Sequence, residues 1–278
     1  MNHHSSFRRN PTILTQARRI VLGFMSVVAL VLGLAGMGAG VAAADTVIAT
    51  VPVGDLPQGV AITPDGAFAY VANANDNDVS VIDTGTNTEI TTVGVGNGPE
   101  GVAITPDGAF AYVTNVVDSD VSVIDTGTNM VITTVAVGNT PGGVAITPDG
   151  AFAYVADQGS AQVSVIDTGT NMVVTTVAVG NFPQDVAITP DGAFAYVTNL
   201  ISGNVSVIDT GTNMVITTVT VGDGPFGVAI TPDGSRAYVA NSFDDTVSVI
   251  AIEECLGSLC IDFGSLTGSG SGAGSMFS

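Results

Sequence analysis

From Asp45 onward, apolar positions fall in short runs that alternate with polar or small residues, and Gly, Pro, Asn and Asp separate the runs. One stretch reads Gly59 to Ile62, Thr63-Pro64-Asp65-Gly66, Phe68 to Asn73, Val79 to Asp83, then Ile90 to Gly96. Each run is rich in β-branched or aromatic residues and bounded by turn chemistry, which predicts a strand. No 3.6-residue periodicity appears after Asp45, so helical arrays are excluded. The pattern then repeats. Pro-Asp-Gly recurs with its Asp at 65, 107, 149, 191 and 233, and the glycine closing a Val-Gly pair falls at 54, 96, 138, 180 and 222, a period of 42 residues in both cases.

Four strands, a to d, per unit of this length is the blade pattern of a β-propeller. In strand b, Phe68 and Tyr70 oppose Ala69 and Val71, so a bulky face of one blade meets a smaller face of the next and both sides of each sheet are buried. The expected fold is all-β: five four-stranded blades of 42 residues. Thr46 to Gly54 matches a fourth strand (compare Thr88 to Gly96), whereas the last unit stops after its third, near Thr246 to Ile252. The N-terminal strand is therefore expected to pair beside that third strand and close the ring, hiding both edges. A membrane barrel is the rival all-β exported fold, but these runs are short for a membrane strand and tryptophan is absent.

Tyr112-Val113-Thr114-Asn115 and Tyr196-Val197-Thr198-Asn199, with the variants at Tyr70, Tyr154 and Tyr238, stand beside repeated Thr-Pro-Asp-Gly and Val-Ile-Asp-Thr-Gly-Thr-Asn. Over residues 45 to 252 the chain resembles the YVTN-repeat propellers of surface-layer and periplasmic proteins. That resemblance usually implies seven blades, so an open five-unit array that pairs with a second chain stays open as an alternative. The seven-bladed lactonases that this family resembles lean on histidine and arginine in their sites, so lactonase activity is not expected here.

The first 44 residues have a different character. Arg8, Arg9, Arg18 and Arg19 precede an apolar stretch from Ile20 to Val41, then Ala42-Ala43-Ala44, with no acid before Asp45. This is the order of a secretory signal peptide over 1–44, with an uncleaved anchor as the rival and the small-residue ending favouring removal. The expected location is secreted or cell-surface, with no membrane insertion of the mature chain. Beyond residue 44, Arg236 is the only basic side chain against 25 acids. So acidic a surface repels phosphate backbones, which excludes nucleic acid as a partner. Cys255 and Cys260, with four residues between them in an exported chain, are expected to form a small local disulfide. The segment 253–278 ends in a Gly/Ser-rich tail.

The residue inventory limits the chemistry. His3 and His4 are the only histidines, and there is no lysine. Ser-His-Asp and Cys-His catalysis, histidine-metal centres and Schiff-base chemistry are removed together, so the expectation is no enzyme. The turn acids Asp65, Asp107, Asp149, Asp191, Asp233, Asp83, Asp125, Asp167 and Asp209 read as structural.

Repeats differ mainly in the b–c and d–a loops, which an up-and-down meander brings to the same end of the sheets. A ligand-binding face is expected there, formed by Asp76, Asp78, Glu100, Val116, Asp118, Asp120, Gln158, Phe182, Gln184, Leu200, Phe226, Phe243, Asp244 and Asp245. Its mixture of apolar and acidic residues suits a protein or glycan partner of the cell envelope. No cofactor is expected. Ca²⁺ is the one ion that Asp76, Asp78, Asp118 and Asp120 would suit, although no EF-hand spacing exists. The reading is an exported binding or structural module, the alternative a carboxylate-based, glycan-active hydrolase on the same scaffold.

Overall fold

The computed structural model describes residues 46–252 and the backbone of residues 255–256 and 259–260. The chain divides into Met1–Thr46 and Val47–Ser278, and every described sheet belongs to the second unit. The signal segment and the Gly/Ser-rich tail lie outside the described residues. Among the described residues, no helix is long and apolar enough to cross a membrane.

Four sheets each have four antiparallel strands in sequence order. The first contains β1 (Pro57–Ile62), β2 (Phe68–Asn73), β3 (Asp78–Asp83) and β4 (Thr88–Gly94). The second contains β5 (Pro99–Ile104), β6 (Phe110–Asn115), β7 (Asp120–Asp125) and β8 (Met130–Ala136). The third contains β9 (Pro141–Ile146), β10 (Phe152–Asp157), β11 (Gln162–Asp167) and β12 (Met172–Ala178). The fourth contains β13 (Pro183–Ile188), β14 (Phe194–Asn199), β15 (Asn204–Asp209) and β16 (Met214–Thr220). The fifth has three strands, β17 (Pro225–Ile230), β18 (Arg236–Asn241) and β19 (Thr246–Ala251). A separate pair, β20 (Cys255–Leu256) and β21 (Leu259–Cys260), sets Cys255 opposite Cys260 along the backbone.

The turns form because their acids satisfy the backbone locally. Asp65 Oδ1 accepts from Thr63 Oγ1 at 2.6 Å and from the Ala67 N–H at 3.0 Å, while Gly66 takes φ +73°. At the other hairpin, Asp83 Oδ1 accepts from the Thr86 N–H and hydroxyl at 2.8 and 3.0 Å, and Asn87 takes the left-handed conformation that Asn tolerates. These bonds hold Asp65 and Asp83 below the ordinary carboxylate range, and the Thr231 hydroxyl leads in lowering Asp233 to about 2.

Successive sheets pack as the alternation of strand b requires. Tyr70, Val79 and Val81 of the first sheet meet Ala111, Val113 and Ile124 of the second. Tyr112, Val121 and Val123 meet Ala153, Val155 and Ile166 in the same way. Three of the buried tyrosines also reach the next sheet's left-handed Asn: Tyr70 Oη donates to Asn129 Oδ1 at 2.7 Å, and Tyr112 and Tyr154 donate to Asn171 and Asn213 at 2.6 Å. Within a sheet, Asn73 Nδ2 donates to Asp78 Oδ1 and Ser80 Oγ. The third sheet reverses this polarity: Asp157 Oδ2 accepts from Gln162 Nε2 and Ser164 Oγ.

The expected closure is corrected. Residues 46–53 form no strand, the fifth sheet keeps three strands, and no closed ring is present among the described residues. The inner strands pack against one another in the order β1, β5, β9, β13, β17. A closing strand would have to find β19 across the whole repeat array, whereas every other outer strand is delivered to its neighbour by a tight hairpin.

Candidate functional site

Each inner strand begins with a bulge. Pro99 pairs with Asn115 and Val102 with Val113, so the residues between them leave the ladder and are re-aimed. In four units the position two before the Val-Ala-Ile run's first residue is Gln58, Glu100, Gly142 or Gln184, with Phe226 in the fifth; the next position is Gly59, Gly101, Gly143 or Gly227, with Asp185 in the fourth.

The structure brings four of these variable polar side chains together. Glu100 Oε1 accepts from Gln158 Nε2 at 3.5 Å and from Gln184 Nε2 at 3.4 Å, across the second, third and fourth sheets. Asp185 Oδ1 accepts from its neighbour Val186 N–H at 2.9 Å, and Oδ2 from the Val228 N–H of the fifth sheet at 3.1 Å. The glycines of the third sheet make the space. A Cβ on Gly142 would collide with the Gln158 amide, and one on Gly143 would sit 2.6 Å from Asp185 Oδ1. Replacing either glycine would displace a polar group of the cluster.

Burial is the leading cause that pushes both carboxyls above their ordinary values. For Glu100, the Asp185 charge pushes further in the same direction and the Gln158 amide opposes. For Asp185, the two backbone N–H groups oppose. Both carboxyls are thus pushed toward the protonated form, while the two backbone N–H groups at Asp185 favour its ionised form.

The other expected site residues divide by role. Asp76 Oδ2 accepts from the Asp55 N–H, Asp118 from the Asn97 N–H and side chain, and Asp244 Oδ2 from the Asp223 N–H. Ser160 and Ser202 accept equivalent bonds from Asn139 and Asn181. These acids therefore staple the b–c loop to the d–a loop. Asp78 and Asp120 accept from Asn73 and Asn115 inside their own sheets. Among the described residues, no group of three or more metal-binding side chains forms.

Asp245 is exposed in the left-handed conformation. Val116, Phe182 and Leu200 are half-buried, whereas Phe226 and Phe243 are exposed, joined by Val117 and Ile201. Grooves of about 250 Å³ lie at the opposite end of the sheets, such as the one lined by Thr147, Asp149, Asp191 and Thr210. Their acids are already paired within turns, and the acid cluster does not line these grooves.

Asp185 escaped the sequence reading. Its signal is an aspartate at a position that is glycine in the other four units.

Comparison with known proteins bears on this cluster. The family model described as "Lactonase, 7-bladed beta-propeller" matches residues 86–215, a span that contains Glu100, Gln158, Gln184 and Asp185. No curated protein matches the chain. Among solved structures, the chain is similar to Kuenenia stuttgartiensis hydrazine synthase, with TM-score 0.64 and 32% identity over 70% of this chain and 58% of that one. It thus spans just over half of that relative's length. A functionally unknown protein from Desulfotomaculum acetoxidans DSM 771 gives TM-score 0.61 at 22% identity, covering 71% of this chain and 70% of that chain, a likeness of fold alone.

The β-propeller fold is supported, and the matched family counts seven blades where the repeats predict five. The expectation of no enzyme is overturned by the same match, which points to a hydrolase. Missing histidine and lysine remove particular mechanisms, not hydrolysis by carboxylates. What these findings establish is a β-propeller similar over residues 86–215 to the seven-bladed lactonase family.

Proposed function

We propose that the chain is a carboxylate-based hydrolase acting on a neutral sugar-derived substrate, a glycan or a sugar lactone, outside the cytoplasm. The observation that carries this reading is the convergence of Glu100 with the Gln158 and Gln184 amides, close enough to Asp185 to feel its charge, with burial raising both carboxyls. In the proposed reaction Asp185 takes a proton from water as the oxygen attacks the carbonyl or anomeric carbon. Glu100 delivers its proton to the leaving oxygen as that bond breaks. Gln158 and Gln184 hold hydroxyl or carbonyl oxygens of the substrate. The acidic surface favours an uncharged substrate over a phosphorylated one. The extracytoplasmic location rests on the Arg-rich start, the Ile20 to Val41 stretch and Ala42-Ala43-Ala44.

The test is hydrolysis of a panel of neutral sugar lactones and glycosides by the wild-type chain and by Glu100→Gln and Asp185→Asn. Loss of a general acid or base should cost roughly 10²- to 10⁴-fold in rate with the circular dichroism unchanged. Equal rates in all three proteins would refute the assignment.

A second reading rests on Val117, Ile201, Phe226 and Phe243, apolar and exposed. They suit docking of an envelope protein or glycan. Capture from envelope extracts by the native chain, and not by one whose b–c loops are replaced with Gly/Ser, would support it.

A further inference from the structure

The first and last sheets leave bare the two halves of an interface that the chain makes four times inside itself. At each internal junction the Tyr-Val-Val face of one sheet covers the Val-Ile-Ala-Val face of the next. The first sheet offers its covered-side residues Val60 and Ile62 to solvent, 64% and 61% exposed, where Val102 and Ile104 are packed. The fifth sheet offers Tyr238, Val247 and Val249, 41%, 59% and 54% exposed, where Tyr70, Val79 and Val81 are fully buried. The polar bond of the junction is split as well. Tyr70, Tyr112 and Tyr154 each donate to the Asn that follows in the next unit, whereas Asn87, the first of that series, accepts from no tyrosine among the described residues, and Tyr238 donates to no Asn.

Two substitutions in the repeat fall on these bare faces. Phe68, Phe110 and Phe152 pack at the rim of a junction whose opposite rim carries Val131, Val173 or Val215. In the repeat register the fifth unit replaces this Phe with Arg236, and the first unit replaces this Val with Glu89. Both are exposed. An apolar pair inside the chain thus becomes a basic and an acidic residue at its two ends, and Arg236 is the only basic side chain after residue 44.

We propose that the occupant of each end face is a second copy of this chain, docked head to tail, with Arg236 of one copy against Glu89 of the other. The contact continues the internal junction: Tyr238 meets the Asn87 turn of the neighbouring copy, and Val247 and Val249 cover its Val60 and Ile62. A head-to-tail contact closes into a ring or extends, depending on the rotation at each junction. The charged rim sets which face meets which, since two like ends would juxtapose two arginines or two glutamates.

The test is sedimentation of the full chain in four samples: wild type, Glu89→Arg, Arg236→Glu, and an equal mixture of the two variants. Neither substitution touches a buried side chain, so each variant keeps its fold. Wild type should sediment as two or more copies and each variant as one. The mixture should recover the larger species, because every contact between unlike variants again sets one basic against one acidic side chain. At one such contact the native Arg236 faces the native Glu89, and at the other the two introduced charges face each other with the signs exchanged. Single-copy mass in the wild type, as from a ring closed within one chain, overturns the proposal. So does a variant that keeps the wild-type mass, or a mixture that stays single.

Discussion

The third and fifth sheets carry almost the same strands, yet they occupy different environments. Tyr154, Val163 and Val165 are fully buried against the fourth sheet, while Tyr238, Val247 and Val249 in the same repeat register are open to water. The local sequence sets the strand, its turn and the direction of each side chain. Only a neighbour on that side turns an apolar residue into a core residue.

This comparison orders the stability effects. The largest is expected for Tyr154→Ala, which empties a packed junction and should cost about 3 to 5 kcal/mol if the site collapses as little as other aromatic cores do. Tyr238→Ala, measured by urea unfolding at dilutions where the chain is single, should cost well under half as much. Equal losses would mean that the fifth sheet is covered in solution. A smaller difference is expected for the hydroxyl alone. Tyr154→Phe deletes the bond to Asn213 and should cost about 1 kcal/mol, while Tyr238→Phe in the single chain should be neutral.

Alkaline pH should weaken the packed junctions. Burial leads in pushing Tyr112 and Tyr154 up to about 12. The folded chain therefore holds their protons through a range in which the unfolded chain, near 10, releases them. Stability is full below about pH 10 and falls as pH rises toward 12. Tyr154→Phe should flatten that decline in a pH series of melting temperatures.

The smallest effect concerns the reversed network of the third sheet. Burial is the leading cause that raises Asp157, so stability there is lost as pH climbs from the ordinary aspartate value through the raised one. Asp157→Asn combined with Gln162→Asp would restore the polarity of the other sheets and remove this loss, by about 1 kcal/mol near neutrality. A double variant with the same pH slope as wild type would show that Asp157 is not its source.

The repeated strands were legible because Pro-Asp-Gly and Asp-Thr-Gly-Thr-Asn satisfy their own backbone, so their signal is local. Closure was not legible. Thr46 to Gly54 has the composition of an outer strand, but composition does not supply the hairpin that delivers such a strand to its partner. At the site, Glu100, Gln158 and Gln184 stood out as variable positions, and their convergence across three sheets depended on the space left by Gly142 and Gly143. Asp76, Asp118 and Asp244 misled in the other direction. A loop acid that looks free in sequence can be committed to a backbone N–H about twenty residues earlier, and that partner carries no side-chain signature.

The Asn73, Asp78 and Ser80 network, and its inverted counterpart at Asp157, Gln162 and Ser164, each close within a single 42-residue unit. A gene that gains or loses one whole unit by slippage between near-identical repeats therefore keeps donors and acceptors matched in every copy. A crossover inside a unit, between its second and third strands, would join Asp157 to an aspartate such as Asp78 and place two acids where one donor is needed. Selection on such arrays acts on whole units, and the number of sheets can drift while the chemistry inside each is preserved.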